Sequence, residues 1–456
     1  MAKHKGLLIL YILLNLLLLA GCVKFKDPVY RKVTITGPAF CFNYSRSFGS
    51  FGSMAEENDS TALMVAGGDL LYILIDDQPL TLRYRETDGL YLSFSIDTAD
   101  HFKIYQEEKI ISLNLSDDSD AWNWIEKSNR TAFENLRSLY ITSIPSGEQI
   151  TSLKKISEIN PNLGLALEFE DNQQVIEDIL SVFNPTWLVL PDIELKNITG
   201  EIIQNLKNLE FLSLAGDNLQ DLDFIYLLPK LSSLIIQGWD PQTNGGYRFK
   251  DIKNLESLTF IESEITDISS IGFLPDLKSI HFVECDTLSE INTLSRFTNL
   301  KSLGFIQCGK ISDISVINDI PSLTWLSLPP NTSQENFTGI METHLFLQVV
   351  ELIGCKEIND LSPLEKLSDL RAISLDVPVT DFVSLYQLTG LELIIFEEDM
   401  FEEQGEAISG LQDALPDTQI VPGGGLCLGS GWILLLIPLV LTFRIISMLS
   451  KTIHSR

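Results

Sequence analysis

From Leu209 onward the apolar residues follow one short template: an apolar residue, two variable positions, a second apolar residue, one variable position and a third. Its first positions are Leu209, Leu231, Leu255, Leu277, Leu300, Leu323, Leu347, Leu370 and Leu391, so the unit recurs every 21 to 24 residues. Nine units in phase do not arise by chance. The fourth and sixth positions are apolar and alternate with the third, fifth and seventh, which predicts a short strand with one face turned to a core. A second half-unit recurs as Ile265-Thr266-Asp267-Ile268-Ser269, Ile311-Ser312-Asp313-Ile314-Ser315 and Ile358-Asn359-Asp360-Leu361-Ser362. It predicts a turn into a short helix, with the closing Ser as N-cap and Pro363 at the first helical position. Weaker copies around Leu113/Leu115, Leu139/Ile141, Leu167/Phe169 and Leu188/Leu190 predict degenerate coils upstream. One unit cannot bury its apolar face alone, so the coils must stack.

This pattern predicts an α/β solenoid of the leucine-rich repeat class, with short parallel strands on the concave face and short helices or turns on the convex face. Between Leu206 and Asp399 it resembles the SDS22-like repeats of internalins. The ninth position of four successive units holds Cys285, Cys308, Asn331 and Cys355. In leucine-rich repeats this inward residue bonds the backbone of the turn, so the thiols are expected as a buried ladder rather than a metal site. A Cys285–Cys308 disulfide is also conceivable. The row Asp221, Asp267, Glu290, Asp313, Asp360 and Asp381 reads either as turn caps or as a calcium stripe, and capping is the favoured reading. The expected domains are a β-rich module over 28–105, degenerate repeats over 106–205, the array proper over 206–400, and a C-terminal cap and linker over 401–425. Within the module, Leu80–Tyr84 and Leu90–Ile96 alternate around Thr87-Asp88-Gly89, a hairpin signal.

The two ends read as addresses. Residues 1–21 carry Lys3 and Lys5, an apolar run from Leu7 to Leu19 and small residues, the pattern of a secretory signal. Leu19-Ala20-Gly21-Cys22 resembles the lipobox of bacterial lipoproteins, which implies cleavage before Cys22, an acyl-bearing glycerol (palmitate, for example) on its sulfur, and a lipidated stretch over 22–27. At the other end Gly423-Gly424-Gly425 precedes an uncharged stretch from Leu426 to Phe443, followed by Arg444, Lys451 and Arg456. This resembles GlyGly-CTERM sorting tags, with a membrane or sorting segment over 426–448 and a basic tail over 449–456. A plain membrane anchor reads the same residues equally well. The implied location is the bacterial cell envelope, at the outer membrane or cell surface.

Charge then narrows the function. The chain of 456 residues carries 62 acidic against 32 basic side chains, a formal net charge of −30. Such a body repels phosphate and disfavours nucleic acid. The three His between the two ends (His101, His281 and His344) are too scattered to predict a metal centre. No nucleophile elbow, zincin helix or phosphate loop occurs, so no catalytic residue, metal or cofactor is expected. Function is expected on the concave face. There Ile261, Val283, Ile306 and Ile353 occupy the seventh position and Trp325 a third position. An apolar stripe with an aromatic, flanked by Glu262 and Glu284, predicts an exposed protein-binding surface for a basic or mixed partner. The alternative is a structural or adhesive envelope protein, acting as a spacer, by self-association or by glycan binding.

Overall fold

The computed structural model describes the chain from Ser112 to Pro422, apart from short segments of which the longest are residues 116–119, 191–204, 216–222 and 242–248, together with four strands between residues 34 and 73. The signal segment, Cys22, the hairpin over 80–96 and the segment from Gly423 on lie outside the described residues. The four strands are β1 (Thr34–Thr36), β2 (Phe51–Ala55), β3 (Ser60–Gly67) and β4 (Leu70–Ile73), and β3 pairs antiparallel with the other three.

The rest is one open parallel sheet. Its strands are β5 (Ser112–Leu115), β6 (Ser138–Ile141), β7 (Gly164–Leu167), β8 (Trp187–Leu190), β9 (Phe211–Ala215), β10 (Ser233–Gln237) and β11 (Ser257–Ile261). It continues through β12 (Ser279–Val283), β13 (Ser302–Ile306), β14 (Trp325–Ser327), β15 (Val349–Leu352), β16 (Ala372–Leu375), β17 (Leu393–Phe396) and β18 (Gln419–Pro422). Each strand pairs with its neighbours in chain order, from β5 at one edge to β18 at the other. The fold is a leucine-rich repeat solenoid.

Register turns the template into a core. Leu234, Leu258, Ile280, Leu303, Leu326, Val350 and Ile373 are partners in successive strands, and each is 0% exposed. Full burial of one such side chain contributes roughly 1.5–3 kcal/mol. At the sixth position Phe260, Phe282 and Phe305 stack with centroids 5.7 Å apart. Trp239 continues that stack onto Phe260 at 5.2 Å. Two asparagines staple one coil to the preceding one: Asn254 Nδ2 donates to Pro229 O at 2.7 Å and Asn299 Nδ2 to Pro275 O at 2.8 Å.

The convex side differs from the expectation in detail. In the regular coils it is built of 3-10 turns, among them Ile268–Ile271, Asn292–Arg296, Ser315–Asp319 and Ser362–Lys366. The half-unit is too short for an α-helix, so i→i+3 bonds close it, as from Ile317 N to Ile314 O at 3.0 Å. The capping residue is the aspartate, not the serine. Asp267 accepts from Ser269 N at 2.8 Å, Asp313 from Ser315 N at 3.0 Å, Asp360 from Ser362 N at 2.8 Å and Asp381 from Val383 N at 2.9 Å. The N–H and hydroxyl of Ser315 hold the exposed Asp313 carboxyl below its ordinary range. These four of the six acids in the row therefore serve the turns; Asp221 lies outside the described residues.

Longer connections carry α-helices: α1 (Asp120–Lys127), α2 (Gly147–Ser157), α3 (Gln173–Val182) and α4 (Gln334–Thr343). Two more, α5 (Glu398–Glu403) and α6 (Gly405–Ala414), precede β18. The sheet thus runs past residue 400. Upstream, Leu139 pairs with Leu165 and Ile141 with Leu167, so the buried pair of that coil is Leu165/Leu167 rather than Leu167/Phe169. Without an alternating partner strand the run Gly164–Leu167 fits either register by sequence alone.

Candidate functional site on the concave face

The third, fifth and seventh positions face away from the contiguous core. Ile261, Val283, Ile306, Trp325 and Ile353 are absent from the core cluster that contains their inward neighbours. Ile261, Val283 and Ile306 are register partners in successive strands and make one aliphatic ridge. Strand β14 ends at Ser327, before the seventh position, so Pro329 separates Ile353 from that ridge. The expected exposure needs correction. Ile261 is 3% exposed, Val283, Ile306 and Ile353 are each 1%, and Trp325 is 0%. Side chains on this face pack across columns, as the Trp325 ring does against His281.

A polar cluster beside the ridge was not picked out by composition. Third positions Ser233, Ser257, Ser279 and Ser302 are successive register partners, all buried. His281, at a fifth position, lies opposite Gly304, and its Nε2 is 2.6 Å from Ser302 Oγ. A Cβ on Gly304 would stand 2.2 Å from His281 Nδ1, so the ring occupies space that only glycine leaves open. The His281 and Trp325 rings meet edge to face at 5.8 Å. Trp325 Nε1 donates to Glu351 Oε1 at 2.8 Å, holding a fully buried carboxyl group. The chain of contacts from Ser302 through His281 and Trp325 to Glu351 crosses four coils.

Burial lowers the His281 pKa to about 3, so the ring is neutral at physiological pH. Its Nδ1 makes no hydrogen bond, nor do Thr259 Oγ1, Ser279 Oγ and Ser327 Oγ. The Ser302–His281 pair therefore lacks the third group that orients a base in nucleophilic catalysis. What the cluster offers is hydrogen bonding: hydroxyls, a neutral imidazole and one carboxyl group held by an indole.

The rim has its own signature. Glu262, Glu284 and Gln307 have φ of 46°, 54° and 57°, at the position where Gly238 and Gly354 stand in other coils. This left-handed turn ends the strand while the ladder continues, as from Glu284 N to Ile306 O at 2.8 Å. Side chains at such positions cost about 1 kcal/mol against glycine. They ring the face with carboxylate and amide groups.

The thiols behave as core residues. Cys285, Cys308 and Cys355 are free and buried. Cys285 donates to Val283 O at 3.6 Å and Cys308 to Ile306 O at 3.5 Å. Burial pushes the Cys308 and Cys355 thiols well above their ordinary range, which makes them inert. Asn331 leaves the expected ladder. It is exposed and donates to Gly309 O, while Thr332 is buried and donates to Pro329 O at 2.6 Å. The Pro329-Pro330 pair displaces the turn by one residue.

Several solved structures are similar to this chain. An internalin, InlF, of Listeria monocytogenes shares 19% identity over 66% of this chain and 87% of its own, with a TM-score of 0.37. Internalin C2 of the same organism shares 18% over 49% and 84%, with a TM-score of 0.28. A leucine-rich repeat protein of Leptospira interrogans shares 15% over 71% and 98%, with a TM-score of 0.32. No family model matches the chain, and no curated protein matches it. The repeat architecture itself rests on the strand register described above.

Among the described residues no helix is long and apolar enough to cross a membrane.

Proposed function

We propose that this chain is an envelope-anchored lipoprotein whose solenoid binds another protein through its concave face. The observation that carries the reading is the cluster of His281, Ser302, Trp325 and Glu351. These side chains lie outside the core, yet they are organised across coils by hydrogen bonds. Packing of the solenoid alone does not call for a buried carboxylate or imidazole on that face, since such groups cost free energy to desolvate. All four are 0% exposed, so they brace the face from beneath, and a partner meets the half-buried rim at Gln237 and Gln307 first. The flanking Ile261, Val283 and Ile306, with Ile353 beyond Pro329, are at most 3% exposed and back this cluster rather than adding exposed area. The carboxylates of Glu262 and Glu284 favour a basic or mixed partner and a salt-sensitive association rate. Anchoring is assigned to the lipid on Cys22, with the segment 426–448 either retained in a membrane or removed as a sorting tag.

The test is positional crosslinking on whole cells of a bacterial host. A photoreactive residue replacing the half-buried rim residues Gln237 or Gln307 should capture one defined partner band. The same residue at exposed convex positions Asp319 or Glu365 should not. Capture from the convex positions alone sinks the concave-face assignment. Capture of a second copy of this chain favours the structural reading.

A further inference from the structure

The concave floor is at most 3% exposed at Ile261, Val283, Ile306 and Trp325, so recognition falls on its two edges. At the strand-start edge, Glu256, Lys278 and Lys301 precede β11, β12 and β13 in successive coils. Lys278 N donates to Glu256 O and Lys301 N to Lys278 O, each at 2.7 Å. Lys278 Nζ pairs with Glu256 at 2.8 Å. Among the described residues no carboxylate pairs with the half-buried Lys301. Even with the exposed Asp276 included, this edge is electrically balanced. The opposite rim is different. Glu262 and Glu284 follow the ends of β11 and β12, and Glu264 and Asp286 lie exposed two residues further on. This rim carries only negative charge until Lys310, one coil later.

We infer, on the strength of the concave-face reading, that this polarised face seats an amphipathic helix of the partner protein. The helix lies across the coils, with a basic stripe toward Glu262 and Glu284 and an acidic stripe toward Lys301. The two edges stand about 20 Å apart, six residues of strand at roughly 3.3 Å each. A helix is about 10–12 Å across with its side chains, so rim side chains reach it from both edges. A single extended strand is narrower and leaves one edge unmet. Coils repeat every ~4.8 Å and helix turns every ~5.4 Å, so each turn meets about one coil. Basic residues at i and i+4 of the helix then face Glu262 and Glu284 in turn. Like charges on neighbouring strands repel when nothing answers them. Glu262 accepts from the Gln237 amide at 2.8 Å, which leaves its charge in place. Charge complementarity of this kind fixes which way the helix lies and which helix is accepted.

Photocrosslinking of the full chain on cells of a bacterial host tests this, with the captured partner peptides sequenced. The capture sites are Gln307 on the acidic side and Thr324, one coil beyond Lys301, on the other. Crosslinks from each site should fall on partner residues three or four apart, with basic neighbours at the Gln307 site and acidic neighbours at the Thr324 site. Charge exchange supplies a second readout. Glu284→Lys and Lys301→Glu should each lower capture about threefold, the scale of an exposed ion pair. The double variant restores the net charge but reverses the polarity, so its capture should fall further. Recovery in the double variant, like charges captured at both sites, or crosslinks on every second residue, as in a strand, overturns the helix while the concave-face reading stands. No capture from either site removes both. If a variant does not fold, the wild-type crosslink maps still decide.

Discussion

At the scale of single residues, the pairing of His281 with Gly304 is the sharpest test of the concave face. In Gly304→Ala the new Cβ meets His281 Nδ1 at 2.2 Å, so the ring must leave Ser302 and the edge of Trp325. Overpacking of this kind costs typically 1–3 kcal/mol. Thermal or denaturant unfolding should show that loss, and adding His281→Ser in the same chain should restore most of it. Equal losses with and without His281 would mean that Gly304 serves the backbone rather than the ring. The sequence places both residues on the same face by counting positions. It does not reveal that they touch, because the contacts run diagonally between strands that are more than twenty residues apart in sequence.

At the scale of elements, each coil is a strand, a convex turn or helix and a return loop, with aspartate capping four of the turns, and it is stable only beside its neighbours. Leu303 sits in the inward column between Ile280 and Leu326, fully buried. Leu303→Asp buries an unpaired charge and removes packing, at an expected cost of several kcal/mol. Because coil stability is summed over neighbours, hydrogen-exchange protection should fall across residues 277–328 and not in β13 alone. Unchanged protection there would contradict the register. The turn caps show where local reading goes astray. Asp and Ser both favour helix starts, so the recurring Asp-x-Ser leaves the choice open. Geometry assigns the acceptor to Asp267, Asp313 and Asp360, because their carboxylates reach an N–H two residues on.

At the scale of the whole molecule, the array is strongly acidic, and its proposed anchor lies far from its proposed binding face in sequence. Cys22 should take up labelled fatty acid in a bacterial host, and Cys22→Ala should abolish the label. An unlabelled wild type removes the lipid anchor from the proposal. Separately, intact-mass analysis of the surface protein distinguishes the two readings of the C-terminus. A mature chain ending near Gly425 indicates a sorting tag, and recovery of Arg456 indicates a retained anchor.

The sequence by itself determined the repeat, its phase and its inward columns. Those features are written in residues a few positions apart, and every coil repeats the message, so Leu234 through Ile373 are legible without any long-range information. The burial of Cys285, Cys308 and Cys355 follows from the same counting, whereas the structure decided that they are free thiols. Only the tertiary structure decided what depends on coil meeting coil. The burial of Ile261, Val283, Ile306, Trp325 and Ile353, the indole holding Glu351 and the exposure of Asn331 arise from side chains of separate coils competing for one space. The continuation of the sheet to β18 belongs there too, because strand pairing is a long-range hydrogen-bond pattern that alternation alone does not specify.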